Sequence, residues 1–537
     1  MKATMMHTPM TVQLIMQHGR QVFPKSTVGV FDGQTIDYST YQDIADGATV
    51  LAAGLASLGV GPGDRVGTFS WNNRAHMEAY LAIPSMGAIL HTANIRLSPE
   101  HIAYVINHAQ DRVIILDASL RELFEPVIPL LDTVEHLLLI GGGEPLPGVE
   151  NIDYGELLAA QSGDYDWPQL DETSAAAVCY TSGTTGNPKG VVYSHRTTFV
   201  HSMASRATDT FGINEHDRIL LLPPMFHANS WGLPYSGWFS GSDFIMPGPY
   251  LQAEGIAAMV RAVRPTITAM VPTVLGDLLR APEGAGADMS CFRMIVCGGS
   301  AVAPAMIEAV RSKWGVPVLQ GWGMTETSPL CALSHPPRDP GSAGETPWRA
   351  KSGRPVAGVQ VRVVDEKGAA LPHDGVSVGE LQLRGPWITG AYHKGESADS
   401  FTADGWLRTG DVGHIDERSF VQLTDRTKDV IKSGGEWISS VDLENALLAH
   451  PGVAEVAVIA TADERWQERP LAIVVRDDRA LTACDLRKHL EGRVAKFWIP
   501  EYWAFTDELA KTSVGKMDKR KLRSANEQGD LSVEKVR

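Results

Sequence analysis

Residues 180 to 190 read Tyr180-Thr181-Ser182-Gly183-Thr184-Thr185-Gly186-Asn187-Pro188-Lys189-Gly190, with four Ser/Thr hydroxyls, three glycines and one lysine in a row. Glycines let backbone N–H groups come close to an anion, hydroxyls add donors, and Lys189 adds a positive charge. The run therefore suits a polyphosphate that is held and then broken. A Walker loop fails on spacing. Counting from Gly183, its second glycine falls on Pro188, and Lys189 is followed by Gly190 where a metal-binding Ser or Thr is required. A flexible surface turn explains the glycines, but not hydroxyls and lysine together.

Such a loop needs strands to carry it, and the chain supplies them. The apolar run Ala175-Ala176-Ala177-Val178-Cys179 leads directly into it. From Ser39 onward helical patterns alternate with short apolar strands: a helix over Thr49 to Leu58, a strand over Asp64 to Ser70, a helix over Met77 to Met86. Runs at Arg112 to Asp117 and His136 to Gly141 read as buried parallel strands, as do Arg218 to Leu222, Ile267 to Pro272, Arg293 to Gly299 and Val316 to Gly321. In open parallel sheets ligands sit outside the carboxyl ends of strands, which points to these endings as the site.

Between about Gly353 and Thr424 short β-type runs dominate, such as Val359 to Val364 and Gly379 to Arg384, and predict a compact β subdomain. Beyond Asp425 the pattern becomes α+β, with a helix near Val441 to Ala449, strands at Val456 to Ile459 and Leu471 to Val475, and a helix near Cys484 to Ala495. The expected fold class is α/β, a large N-terminal domain over 1–424 of two α/β subdomains plus the β subdomain. A small α+β C-terminal domain follows over 425–537.

Size and charge narrow the function. A chain of 537 residues exceeds one core and suits several compact units. Its 44% hydrophobic and 20% charged content is that of a globular enzyme. A formal net charge of -16 argues against a nucleic-acid partner, which needs a basic footprint. The five cysteines Cys179, Cys291, Cys297, Cys331 and Cys484 form no CxxC pair, so a zinc site and a disulfide framework are not expected. No run is long and apolar enough for a membrane span. The first 31 residues carry Lys2, Arg20 and Lys25 and no acid, and an amphipathic helix around Val12 to His18 explains them better than a transit peptide. A reducing, cytoplasmic location is expected.

Taken with Trp322-Gly323-Met324-Thr325-Glu326, Thr409-Gly410-Asp411, Asp425-Arg426-Thr427-Lys428-Asp429 and Gly515-Lys516, the loop resembles the adenylate-forming superfamily of acyl-CoA synthetases and luciferases. The motifs span about residues 170 to 520 in the family's order, while the first 170 residues match only in α/β texture. Pro224 to Gly232 and Lys432 to Ser439 bring the resemblance nearest to medium- and long-chain fatty acyl-CoA ligases and methylmercaptopropionate-CoA ligases.

The resemblance implies an enzyme, an acid–thiol ligase of two half-reactions. ATP converts a carboxylate to an acyl-adenylate with loss of pyrophosphate, and the thiol of CoA then displaces AMP. It implies that Thr181, Ser182, Gly183, Thr184, Thr185, Gly186 and Lys189 grip the β and γ phosphates, with Thr184 and Glu326 near Mg2+. Glu326 in a phosphate site makes little sense without a bridging cation. Gly321, Trp322, Gly323, Met324 and Thr325, with Gly299, Ser300 and Ala301, would wall the nucleotide. Asp411 would take the ribose hydroxyls, Arg426 the ribose or phosphate, and the catalytic Lys516 the α-phosphate and carboxylate oxygens. His227, also expected to be catalytic, Trp231, Gly298 and Gly299 would form the acyl pocket, with Trp231 resembling an aromatic gate. Ordinary core packing explains Trp231 as well.

Asp425 resembles the family's hinge. A mobile C-terminal domain would present Lys516 for adenylation and then rotate to present Lys432, Ser433, Gly434, Gly435, Glu436 and Trp437 to CoA. A carrier protein is an alternative acceptor, and a bulky alicyclic, terpenoid or thioether acid an alternative substrate. A binding protein that senses acyl-AMP without turnover is a further reading, against which the full set of charged motif residues stands. Members of the family are often dimeric, so the resemblance also raises a homodimer.

Overall fold

The structure, a computed structural model, describes all residues except 2, 182–186, 282–287, 427–428, 434–435, 464, 513–516 and 537, and the side chains of 436 and 437. The α/β alternation resolves into two large sheets. One has seven strands in the order Glu150–Asp153, His136–Ile140, Asp111–Asp117, Arg65–Phe69, Ile89–Thr92, Ala175–Tyr180, Gly190–Ser194. All its neighbours are parallel except the last pair, an antiparallel hairpin in which Tyr180 faces Gly190. The phosphate-type loop is therefore the tip of a hairpin at the sheet's edge.

The second sheet has nine strands, with a parallel centre of Asp243–Met246, Arg218–Leu220, Ile267–Met270, Met294–Gly298 and Val318–Gly323. Its central strands are apolar runs buried on both faces, as helix-covered parallel sheets require. Val318–Gly323 starts two residues later than its apolar run, beyond Pro317, and runs on through Gly321, Trp322 and Gly323. There it turns antiparallel to Leu330–Leu333. Close approach makes Gly323 obligatory, since a Cβ would lie 2.1 Å from the Pro329 carbonyl oxygen.

One continuous buried core joins both sheets through the helices Val12–Val22, Tyr41–Ser57, Arg74–Ser85 and Leu233–Ser240. The first of these, capped by the Thr11 hydroxyl, is the helix expected near Val12. Tyr41–Ser57 begins earlier than its apolar period because Thr40 and Asp43 form a reciprocal capping box. The same core extends into a four-stranded antiparallel sheet of Gln360–Val364, Gly379–Arg384, Leu407–Ile415 and Val421–Arg426, the expected β subdomain.

From Ile431 the chain builds a separate six-stranded sheet with its own cores. The passage between the last two sheets falls between Arg426 and Ile431. The fold is thus a large N-terminal domain followed by a small C-terminal α+β domain. Two expectations shift there. The helix ends at Leu490 rather than near Ala495, because Gly492 adopts φ 75°. The strand around Val456 extends over Val453–Asp463, carried past its apolar segment by an antiparallel ladder with Gln467–Arg476.

Candidate active site

At the carboxyl ends of the central strands lie two adjoining cavities, of about 230 and 340 Å³. The smaller is lined by Thr181, Lys189, His227, Trp231, Gly298, Gly299, Gly321, Trp322, Gly323, Met324, Thr325, Glu326 and Arg426. Motifs up to 245 residues apart in sequence thus line one space. Its lining also includes the apolar Phe211, Ala228, Val271, Val296 and Leu330. The larger cavity shares Gly299, Gly321, Trp322, Gly323 and Arg426, and adds Ser300, Ala301, Asp411 and Asp425 from the N-terminal side. Thr512, Met517, Asp518 and Lys519 line it from the C-terminal domain.

Asp411 is held from two sides. Its buried carboxylate accepts the Trp322 indole N–H at 2.9 Å and faces Nε of Arg426 at 3.3 Å. The second contact follows from register, since Asp411 and Arg426 oppose each other across adjacent strands. Burial without such partners would be costly for a carboxylate. Thr409, whose hydroxyl donates to the Leu381 carbonyl at 2.6 Å, accepts the Asp411 N–H at 3.0 Å and fixes the turn around Gly410.

Glu326 sits half-buried in the smaller cavity and accepts the Tyr392 hydroxyl at 2.6 Å. The Lys189 ammonium lies 4.9 Å from the centre of the same Tyr392 ring. Burial and the charge of Glu326 raise the Tyr392 pKa, so the phenol stays a donor. At the loop's stem, Thr181 N–H donates to the Lys189 carbonyl at 3.0 Å and Lys189 N–H to the Thr181 hydroxyl at 3.1 Å. Ser182, Gly183, Thr184, Thr185 and Gly186 lie outside the described residues.

Sequence did not reveal Tyr392, which follows no motif. Nor did it reveal the backbone that aims Trp231. Ala228, Asn229, Ser230, Trp231 and Gly232 are five consecutive left-handed residues, with φ from 44° to 74°. Such a run is unfavourable for residues with a Cβ and must be held by its surroundings. The Ser230 hydroxyl donates to the Pro223 carbonyl at 2.6 Å, and the Cys179 thiol to Oδ1 of Asn229 at 3.2 Å. Asn72 receives the Met225 N–H at 2.7 Å and donates to the Leu221 carbonyl at 2.7 Å. Behind Gly232 packs the imidazole of His201, where a Cβ would come within 2.6 Å of the ring. The outcome places Trp231 on the cavity wall, with its ring 3.5 Å from where a Gly298 Cβ would stand.

Among the described residues expected for CoA, Lys432 and Ser433 line neither cavity. Lys432 and Ser433 belong to the strand Ile431–Ser433, where the Ser433 hydroxyl accepts Nη1 of Arg469 at 3.2 Å. Glu436 and Trp437 lie in the strand Glu436–Ile438, and Gly434, Gly435 and Lys516 lie outside the described residues. Asp425 accepts the Arg426 N–H at 2.8 Å and, from the C-terminal domain, the Ser440 N–H at 2.9 Å.

Among the described residues no three His, Cys, Asp or Glu side chains converge as a metal cage. A single carboxylate at Glu326 beside a phosphate-type loop suits Mg2+, which commonly takes one or two protein carboxylates and completes its shell with substrate phosphates and water. Among the described residues no helix is long and apolar enough to cross a membrane.

Comparison with known proteins agrees with this geometry. Residues 17–393 match the family described as AMP-binding enzyme, and residues 442–516 match the AMP-binding enzyme C-terminal domain. The chain is 38% identical to a 3-methylmercaptopropionyl-CoA ligase of Ruegeria pomeroyi, covering 97% of this chain and 98% of the relative. It is 42% identical to a long-chain-fatty-acid–CoA ligase of Thermus thermophilus, over 97% of this chain and 96% of that one. The crystal structure of an anthranilate CoA ligase in complex with anthranoyl-AMP superposes with a TM-score of 0.88 at 26% identity, covering 99% of this chain and 100% of that one.

Proposed function

The chain belongs to the AMP-binding enzyme family and is an AMP-forming acid–CoA ligase, and we propose that the acid it activates is a medium- or long-chain fatty acid. The observation that carries this reading is one cavity lined both by the charged Lys189, Glu326 and Arg426 and by the apolar Phe211, Val271, Val296 and Leu330. Such a space suits a carboxylate carried on a hydrocarbon and delivered to a polyphosphate.

In this reading ATP lies with its pyrophosphate on the loop Thr181 to Lys189 and its ribose hydroxyls on Asp411, with Gly299 to Ala301 and Gly321 to Thr325 as walls. Both reacting groups are anions, so positioning and fixed positive charge supply most of the rate. Lys189 and Arg426 hold phosphoryl oxygens, and Lys516 brings its charge to the α-phosphate with the C-terminal domain. Glu326 and Thr184 would hold Mg2+, which neutralises phosphate charge when bound. The acid's carboxylate attacks the α-phosphorus, pyrophosphate leaves, and the acyl chain occupies the wall of Trp231, Phe211 and Val296. His227 borders the reacting carboxylate. The C-terminal domain then turns about Asp425 and offers the Lys432 to Trp437 segment to CoA, whose sulfur takes the acyl group as AMP departs.

The presence of Trp231 on the cavity lining beside Gly298 favours a second reading, a short thioether acid. The relative from Ruegeria pomeroyi carries such a name. CoA-dependent AMP release across a panel of fatty, thioether, aromatic and alicyclic acids tests both. Turnover that peaks at six or more carbons supports the fatty-acid reading, and a peak on methylthiopropionate replaces it.

A further inference from the structure

The stem of the phosphate-type loop leans on a line of hydrogen-bonding side chains that the reaction itself does not use. The helix Pro99–Ala109 brings Tyr104 and His108 one turn apart, with their rings stacked at 5.4 Å. His108 Nδ1 lies 2.8 Å from the Tyr180 hydroxyl, and its Nε2 lies 3.3 Å from Oε1 of Glu396. Tyr180 is the residue before Thr181, the first residue of the loop. Glu396 ends the turn that begins at Tyr392, the partner of Glu326 and Lys189.

The donor order follows from chemistry. A neutral imidazole has one acceptor and one donor nitrogen. Partial burial and the charge of Lys394 push the His108 pKa down, although Glu396 pulls it up, and burial raises that of Tyr180. His393, whose ring is 5.2 Å from that of His108, completes the ionisable surroundings with His91 behind Tyr180. The Tyr180 O–H therefore donates to Nδ1, and the Nε2–H faces Oε1 of Glu396 as a polar contact. The stem also packs directly on the turn, since a Cβ on Gly190 would lie 3.0 Å from Cβ of His393 and 3.2 Å from the Tyr180 ring.

We propose that Tyr180, His108 and Glu396 form a positioning strut that holds the stem of the phosphate loop in register with Tyr392 and Glu326, and so sets the affinity for ATP. The proposal rests on the reading of residues 181–189 as the polyphosphate grip. Each strut member lies outside both cavities, so it acts through the loop and through Tyr392 rather than on substrate.

ATP–pyrophosphate exchange, measured against ATP concentration, tests it with Tyr180→Phe, His108→Phe, His108→Gln, Glu396→Ala and Glu396→Gln. Loss of the Tyr180–His108 hydrogen bond should raise the KM for ATP about five- to tenfold in Tyr180→Phe and His108→Phe, and loss of the Glu396 contact in Glu396→Ala should raise it by a smaller factor. His108→Gln and Glu396→Gln, which keep donors and acceptors, should stay nearer the parent. Thiolysis of supplied acyl-adenylate should be unchanged. An unaltered KM for ATP in Tyr180→Phe and His108→Phe overturns the strut while leaving the loop's role standing. Equal losses in exchange and in thiolysis also overturn it, by showing a general structural effect. A parent enzyme that exchanges with no acid removes the loop reading and the strut together.

Discussion

The indole N–H of Trp322 donates to the carboxylate of Asp411 at 2.9 Å, tying a strand end of the nine-stranded sheet to the β subdomain. One Asp411 oxygen is thereby engaged, and the other faces Arg426 at 3.3 Å. A carboxylate held in this way is orientated before any ribose arrives. Asp411→Ala should therefore raise the KM for ATP by about ten- to a hundredfold, the scale of losing hydrogen bonds to a charged group. Trp322→Phe, which leaves the carboxylate but frees its orientation, should cost about tenfold. Both are read from exchange rates against ATP concentration, and an Asp411→Ala enzyme with parental KM would reject the ribose role.

Glu326 accepts the Tyr392 hydroxyl at 2.6 Å through Oε1, and its other oxygen is the one proposed for a cation. Chelation with EDTA should abolish exchange, and added Mg2+ should restore it. Glu326→Gln should raise the Mg2+ concentration needed for half-maximal rate by at least tenfold, because a neutral amide binds a hard cation poorly. Tyr392→Phe should act in the same direction by a smaller factor. A Glu326→Gln enzyme with an unchanged Mg2+ titration would remove Glu326 from the metal's shell.

His201 offers a pH signature remote from the chemistry. Its Nε2 accepts the Leu330 N–H at 3.3 Å, its ring seals Gly232, and burial pushes its pKa from the ordinary 6.5 down to about 4. A folded-state pKa below the unfolded one means that the unfolded chain binds the proton first. Stability is then full above pH 6.5, falls as pH drops through the window to about 4, and levels below it, by up to about 1.4 kcal/mol per pH unit for one group. His76 and His195 are likewise buried with values of about 4, so the parent carries the sum of three such terms. His201→Gln should show a shallower decline of its thermal midpoint between pH 6.5 and 4. Parallel curves for variant and parent would show that His201 does not titrate on unfolding.

Much of this was legible in the sequence because strand endings in parallel sheets are where ligands sit, and the motifs at Thr181, Gly298 and Trp322 are such endings or their neighbours, whereas Asp411 lies within an antiparallel strand. Buried strands announced themselves by apolar runs, as at Arg112 to Asp117. What stayed hidden depends on contacts between distant segments. Tyr392 matters only because its turn folds onto Glu326, and His108 only because its helix faces the loop's stem. The left-handed run from Ala228 to Gly232 is opposite to the local preference of four of its five residues, and it persists through Asn72, Cys179 and His201, which lie far from it in sequence. Element ends moved for local reasons, Thr40 capping one helix earlier and Gly492 closing another sooner than apolar spacing suggests.

The role proposed for Lys516 makes the sharpest division of labour. The residues that flank it, Thr512 on one side and Met517, Asp518 and Lys519 on the other, line the same cavity as Asp411 and Arg426. Lys519 is anchored there, with its ammonium 2.7 Å from Glu444 and 2.5 Å from the Ser440 hydroxyl, while Asp425 accepts the Ser440 N–H. The described flanks of residues 513–516 thus line the cavity proposed for the nucleotide. Lys516→Ala should slow acyl-adenylate formation by orders of magnitude, since a fixed charge on the α-phosphate is lost, yet leave thiolysis of supplied acyl-adenylate largely intact. Gly435→Leu should do the reverse, sparing pyrophosphate exchange and blocking thioester release. The two half-reactions are measured separately, by exchange without CoA and by AMP release from synthetic acyl-adenylate with CoA. Equal loss of both in either variant would mean that one arrangement of the domains serves both steps, and that Asp425 is not a hinge between them.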